Sequence, residues 1–184
     1  MNIVGLVGVS GVGKSTLLTE LKHSLQFLHL QASELLKSET AIVTGIAQTS
    51  EELRLGAVLS NQDMLVRAFR RNVAGSALPV VFDSHTVIDS RDGMIVIPAK
   101  VFQDIGLTSL VVLKAPAVQI AAQRGADPRV RPVRSIEEID QHQSLTIAVA
   151  GEMAAELSIP LYTIEAADRH IIETLVREEP LRAD

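Results

Sequence analysis

Apolar positions in this chain alternate between short uninterrupted runs and stretches that repeat at helical spacing, the pattern of buried strands interleaved with amphipathic helices. Residues 2–8 form the first run, and Lys14 to His23 follow with Leu17, Leu18 and Leu21 on one helical stripe. Residues 26–30 predict a short second strand, and Ser33 is the expected N-cap of a short helix over Ser33-Glu34-Leu35-Leu36-Lys37. Within 38–50, Ala41-Ile42-Val43 read as an extended piece broken by Gly45. One helix is expected to begin at Ser50-Glu51. Another begins at Ser60 or Asn61, buries Met64, Leu65, Ala68, Phe69 and Val73, and ends at Gly75-Ser76.

Leu78 to Asp83 is an apolar strand that ends on a carboxylate. A turn at Ser90-Arg91-Asp92-Gly93 and the run Ile95-Val96-Ile97 before Pro98 predict a hairpin-like arm. Ala99 to Ile105 reads as a helix, Thr108 to Leu113 as a strand, and Ala117 to Gln123 as a helix opened by Pro116. Ser135-Ile136-Glu137-Glu138 spells a capping box that starts a long helix running to about Glu156. Residues 159–164 are a further strand and 167–177 a closing helix. Five parallel-type strands alternating with helices make a three-layer α/β domain, predicted as a single unit over 1–184. Ligands in such sheets bind beyond the carboxyl ends of the strands. That rule puts residues 8–15, Asp83-Ser84-His85 and the segment after Leu113 on one rim.

The connection between the first strand and the first helix reads Gly8-Val9-Ser10-Gly11-Val12-Gly13-Lys14-Ser15-Thr16. It satisfies G-x-x-x-x-G-K-[ST] in the strand-before, helix-after context that the motif requires. Backbone N–H groups and a helix N-terminus there cradle polyphosphate. Lys14 reaches toward the β- and γ-phosphates, and the Ser15 hydroxyl is placed to ligand Mg²⁺. Gly8, Ser10, Gly11, Val12, Gly13, Lys14, Ser15 and Thr16 are therefore the expected donor-binding residues, with ATP and Mg²⁺ the expected cofactors.

Composition narrows the reading. The chain is 47% hydrophobic and lacks Trp and Cys, with one Tyr and four Phe, so its core must be aliphatic, as in a helix-covered parallel sheet. No apolar run reaches the length of a membrane span, and no basic segment precedes the first strand. With no cysteine to oxidise, a cytoplasmic location is the expectation. A net charge of −5 disfavours nucleic acid as a partner. Arginines nevertheless cluster over 124–134, a polar turn broken by Gly and Pro.

Asp83, ending a strand beside the phosphate loop, is a candidate for holding Mg²⁺ directly or through water. Arg124, Arg129 and Arg131 are candidate clamps on the transferring phosphoryl group, because a guanidinium fork matches phosphate oxygens bidentately. His85 is a candidate for orienting the acceptor, a water or Asp83, and is equally readable as a hydrogen-bonded loop residue. Gln62 either reads a base edge or is exposed near a helix start. His142 is expected to pack within its helix or orient the lid hinge.

The phosphate loop, Asp83-Ser84-His85, Ala121-Ala122-Gln123-Arg124, Asp127-Pro128-Arg129-Val130-Arg131 and Ile136-Glu137-Glu138-Ile139-Asp140-Gln141-His142-Gln143 recur in this order in one protein group. The chain resembles the nucleoside monophosphate kinases among P-loop proteins, and within them archaeal-type adenylate kinase. The resemblance implies a P-loop NTPase fold with a small Arg-rich lid over about 124–134 and an acceptor-side arm over about 31–75. It implies Mg²⁺-assisted transfer of the γ-phosphate from ATP to a nucleoside monophosphate. It assigns Lys14, Asp83, His85, Arg124, Arg129 and Arg131 to catalysis, and Ser33, Arg54, Gln62 and His85 to the acceptor, with Arg54 on its phosphate. The turn Pro128-Arg129-Val130-Arg131-Pro132 and the stretch 38–50 depart from the family pattern, so the acceptor stays open. The alternatives are another small acceptor (a nucleoside, sugar acid or coenzyme precursor) and a slow ATPase acting as a regulatory or assembly factor. The chain lacks the Asn-Lys-x-Asp motif of guanine-specific switches, and Asp83 has no Glu beside it for strong intrinsic hydrolysis. Base preference and oligomeric state are not legible.

Overall fold

Five of the apolar runs land as strands of one sheet. The computed structural model describes residues 1–45, 61–90, 93–127 and 132–178. The strands are β1 (Ile3–Val7), β2 (Leu28–Gln31), β3 (Val80–Asp83), β6 (Ser109–Leu113) and β7 (Leu161–Ile164), with β4 (Val87–Ser90) and β5 (Gly93–Val96) forming a separate antiparallel hairpin. The sheet order is β2-β3-β1-β6-β7, all pairs parallel. The helices are α1 (Lys14–Leu21), α2 (Ala32–Thr44), α3 (Gln62–Val73), α4 (Ala99–Ile105), α5 (Ala117–Ala126), α6 (Ile136–Leu157) and α7 (His170–Arg177), with a 3₁₀ turn at Ala166–Asp168 before the last. This is the predicted α/β architecture, a five-stranded parallel sheet covered by helices.

Strand periodicity divides the core in two. Ile3 and Val7 face one cluster with Phe69 of α3, Phe102 of α4 and Met153 of α6. Val4 and Leu6 face the other with Leu17, Leu18 and Leu21 of α1, Ile120 of α5 and Ile172 of α7. Both faces are covered, so β1, β3 and β6 are buried along their whole length, as their unbroken apolar sequence demands. The scarce aromatics are concentrated on one face: Phe82 meets Phe69 at 5.4 Å and Phe102 at 6.4 Å between ring centroids, both edge-on.

Two expectations are corrected. Ala41-Ile42-Val43 is not extended but continues α2, which runs to a left-handed Gly45. β-Branched residues resist helix only weakly, and a helix already nucleated at Ala32 and packed through Leu35 outweighs them. Ile42 and Val43 consequently stand 63% and 62% exposed. Ser33 is also not the cap: β2 passes into α2 without a loop, the cap position is Gln31, and no side chain caps it. The helix expected from Ser50, Arg54, the turn residues Arg91 and Asp92, and the 128–131 part of the Arg-rich segment lie outside the described residues.

α6 begins where its capping box predicts. Ser135 accepts from the Glu138 amide at 3.1 Å, and Glu138 accepts from the Ser135 amide at 2.7 Å. Gln143 of α6 then pairs its side-chain amide with both backbone groups of Ala115, at 3.0 and 3.1 Å, fixing the loop after β6. His142 is buried against the hairpin and donates from Nε2 to the Val87 carbonyl at 3.4 Å.

Burial holds the His142 pKa below its ordinary value, against the pull of the Val87 carbonyl and Asp89. Below about pH 6.5 the unfolded chain therefore binds a proton that the native state resists. Stability should fall as pH drops through that value. Urea melts between about pH 8 and about pH 5 should show this loss, and His142→Gln should flatten it.

Candidate active site at the carboxyl rim of the sheet

The chain must turn from β1 into α1 between Val7 and Lys14. Gly8 and Gly11 make that possible at φ values of 153° and 87°. A Cβ on Gly8 would lie 2.6 Å from the Leu113 carbonyl oxygen, and one on Gly11 would lie 2.7 Å from Arg124 Cγ. The loop is drawn this tight against β6 and α5 because it carries no side chain at these points. α1 starts with no side-chain cap at Gly13, so its first-turn N–H groups are presented at the rim, the arrangement that suits an anion.

Lys14 is 8% exposed, an unusual burial for an ammonium group. Its Nζ donates to the Gly8 carbonyl at 3.0 Å and lies 3.6 Å from Asp83 Oδ1. His85 donates from Nδ1 to the same Gly8 carbonyl at 2.8 Å, which sets its tautomer. Asp83 is 3% exposed. Burial works to raise its pKa, but Lys14 foremost, then His29 and His85, hold the carboxyl below its usual range. Asp83 is thus an ionised carboxylate at the end of β3, in register with Leu6 of β1. Arg124 donates from Nε to the Ser10 carbonyl at 2.7 Å, so the last turn of α5 lies over the phosphate loop.

A cavity of about 380 Å³ opens here, lined by residues 9–16 together with Gln31, Asp83, His85, Gln123, Ala126 and Asp127. A second cavity of about 260 Å³ shares Ser10, Gln31, Asp83 and His85 with the first. Its own walls come from α2 (Ser33, Glu34, Lys37), α3 (Gln62, Leu65), the hairpin (Val87, Ile88, Asp89), Phe102 and His142. The structure therefore brings Lys14, Ser15, Thr16, Asp83 and His85 to one cavity, and Ser33, Gln62, Asp83 and His85 to its neighbour. Arg54, Arg129 and Arg131 lie outside the described residues.

A strand–loop–helix of this geometry, with a buried Lys on the loop and an ionised Asp at the adjacent strand end, is built for nucleotide phosphate. A family model, the AAA domain, matches residues 7–140, from the end of β1 into α6. The chain belongs to the AAA-domain family. That family is a P-loop NTPase group that includes kinases, and membership implies nucleotide binding. The matched stretch contains every residue named above for the two cavities except His142. Comparison with curated proteins gave no match.

Sequence reasoning missed several residues of this AAA-domain site. His29 Nε2 lies 3.8 Å from Asp83 Oδ2, and Gln31 lines both cavities. Strand parity carries the signal: Gln31 is in register with Asp83, and His29 precedes it by one full strand period. Gln123 and Asp127 follow from helical spacing once α5 is laid over the loop. Asp89 and His142 had no local signal, because only the hairpin's fold brings them to the second cavity. No helix among the described residues is long and apolar enough to cross a membrane.

The Gly8 contact makes a direct test. Gly8→Ala should lower stability by more than about 1 kcal/mol and weaken nucleotide binding, because the methyl group collides with backbone at a positive φ. Thermal unfolding with and without ATP would read both effects. An unchanged melting temperature would contradict the close packing.

Proposed function

We propose that this chain is a phosphotransferase that moves the γ-phosphate of ATP, with Mg²⁺, to a nucleoside monophosphate, in the manner of adenylate kinase. The observation that carries the reading is the pair of adjoining cavities that meet at Ser10, Gln31, Asp83 and His85. Hydrolysis needs one nucleotide site and water. Transfer needs two sites whose reacting ends face each other, so that the two substrates are held in line. The second cavity supplies the other place, with an apolar wall of Leu65, Val87, Ile88 and Phe102 suited to a flat ring and polar groups grouped at the shared end.

In this reading Lys14 and the N–H groups of residues 11–16 hold the donor phosphates. Ser15 and Asp83 would hold Mg²⁺, which neutralises charge on the phosphate oxygens. The donor set fits that ion: Mg²⁺ takes one or two protein oxygens and the substrate phosphates rather than an all-protein cage, and Asp83 is already ionised. Transfer breaks the bond from the γ-phosphorus to the β–γ bridging oxygen and forms one to an acceptor phosphate oxygen. A phosphate nucleophile carries no proton to remove, so no general base is required of His85, whose Nδ1 is occupied by the Gly8 carbonyl. Arg124 would steady the loop through Ser10, with Arg129 and Arg131 as clamps on the moving group and Arg54 on the acceptor phosphate. His85, Ser33 and Gln62 would contact the acceptor.

One observation favours a second reading. The described lining of the second cavity holds the carboxylates of Glu34, Asp83 and Asp89 against a single Lys or Arg, Lys37, which is itself paired with Glu34 at 2.8 Å. That balance suits an uncharged hydroxyl acceptor, for which Asp83 or His85 would take the proton.

A panel of nucleoside monophosphates, nucleosides and sugar acids with ATP and Mg²⁺, resolved by chromatography, separates the readings. Conversion of a monophosphate to its diphosphate is the expected result, and Lys14→Ala should slow it by about 100-fold or more while leaving the fold intact. Release of free phosphate alone with every member would point to an ATPase.

A further inference from the structure

Among the described residues the hairpin β4–β5 is the one pair of strands outside the main sheet, yet Val87, Ile88 and Asp89 form part of the second cavity's wall. A lone two-stranded hairpin is marginal in water. Val87 is buried in the core and Ile88 and Ile95 pack against it, but the outer strand β5 is largely exposed, so polar contacts add to what core burial supplies. The residues leading into and along β4 are fastened to one stripe of α6 and its approach. Thr86 donates from Oγ1 to the Thr146 carbonyl at 3.4 Å, Val87 accepts from His142 at 3.4 Å, and Asp89 pairs with Arg134. Arg134, Glu138, His142 and Thr146 recur every fourth residue, so successive contacts on the strand meet successive turns of the helix.

The two long contacts are weak by geometry, but the third is not. Arg134 donates from Nη2 to Asp89 Oδ1 at 2.8 Å and from Nε to Oδ2 at 3.2 Å, a side-on bidentate fork. The Asp89 side chain is 9% exposed, so this pair is shielded on one side from solvent. Glu138 stands 3.5 Å behind Arg134 and is itself locked into the capping box. The fork is thereby pre-oriented before it meets the hairpin. Arg134 does not line either cavity. It reaches the second cavity only through Asp89, whereas no residue of this chain of contacts lines the phosphate-loop cavity.

We infer that Arg134 is a positioning residue that clasps the β4–β5 hairpin to α6 through Asp89, and so sets the shape of the acceptor cavity independently of the donor cavity. This assignment to the acceptor rests on the phosphotransfer reading above. The clasp itself does not, which lets the two be tested apart.

The experiment uses the full chain with two readouts. The first is hydrogen exchange in peptides covering residues 86–97 and, as control, β1 and β3. Arg134→Ala should speed exchange in the hairpin by about tenfold and leave the sheet strands unchanged. The second is kinetics with AMP as the acceptor probe: the KM for AMP should rise about fivefold or more while that for ATP stays within about twofold. Arg134→Lys, which keeps charge but loses the fork, should show a smaller effect in the same direction. Unchanged hairpin exchange, or KM values that rise together for ATP and AMP, would overturn the inference. A hairpin loosened with no change in AMP kinetics would overturn its link to the acceptor. A wild-type chain that phosphorylates neither AMP nor another monophosphate, with the hairpin still loosened by Arg134→Ala, would overturn the phosphotransfer reading and the acceptor assignment with it.

Discussion

The carbonyl oxygen of Gly8 is the point to which the phosphate rim is tied. It accepts from Lys14 at 3.0 Å and from His85 at 2.8 Å, and through them it joins the end of β1 to the start of α1 and the end of β3. Lys14 is buried, and a buried ammonium group is tolerated only when partners replace its water. Asp83 supplies the countercharge at 3.6 Å, beyond hydrogen-bond length, so the carboxylate neutralises Lys14 without a direct bond. Such an arrangement stabilises a fold no better than packed aliphatic side chains would. A buried Lys–Asp pair at the rim of a largely apolar core makes sense for phosphate chemistry. A polyphosphate can take up the charge of Lys14 more fully than Asp83 does, with little rearrangement of the loop.

The strand order explains why these groups meet. β1 lies between β3 and β6: after β1 the chain builds β2 and β3 on one side and then crosses to β6 and β7 on the other. The crevice at such a reversal opens above the carboxyl ends of the strands. Leu6 is in register with both Asp83 and Val111, so the chain leaves β1 and β3 at nearly the same height while β6 runs on past them to Leu113. Gly8 then approaches the Leu113 carbonyl so closely that no side chain fits between them. The sheet's own burial holds this geometry, since both of its faces are covered by helices.

This division accounts for what was legible in the sequence. The phosphate-loop side is written locally: the motif at residues 8–15, the carboxylate ending β3, the stripe of Leu17, Leu18 and Leu21, and the Ser135 capping box all depend on neighbours within a few positions. Those elements formed where periodicity and turn chemistry placed them. Ala41-Ile42-Val43 misled because a β-branched run is only a weak preference, and a helix propagating from Ala32 overrode it. His29 and Gln31 required knowing which strand neighbours β3, a fact that no local pattern carries. Asp89, Arg134 and His142 are separated by 45 residues or more from the strand to the helix they join, so their meeting follows only from the fold.

The same contrast bears on how the two halves of the site are stabilised. The phosphate-loop cavity is walled by a sheet end and a helix start, both continuous with the core, so a change there strains the whole domain. The second cavity leans on a hairpin that shares no strand pairing with the sheet and is held by Val87 in the core, by the partly buried Ile88 and Ile95, and by polar contacts to α6. Polar contacts at a partly solvated seam are individually small next to core burial. Substitution at the polar contacts along the α6 stripe can therefore reshape the second cavity's wall at less cost to the fold than a change at Gly8 in the phosphate loop. The phosphate loop is thus fixed by close backbone packing, whereas the second cavity joins core residues such as Leu65 and Phe102 to a seam of polar contacts with α6.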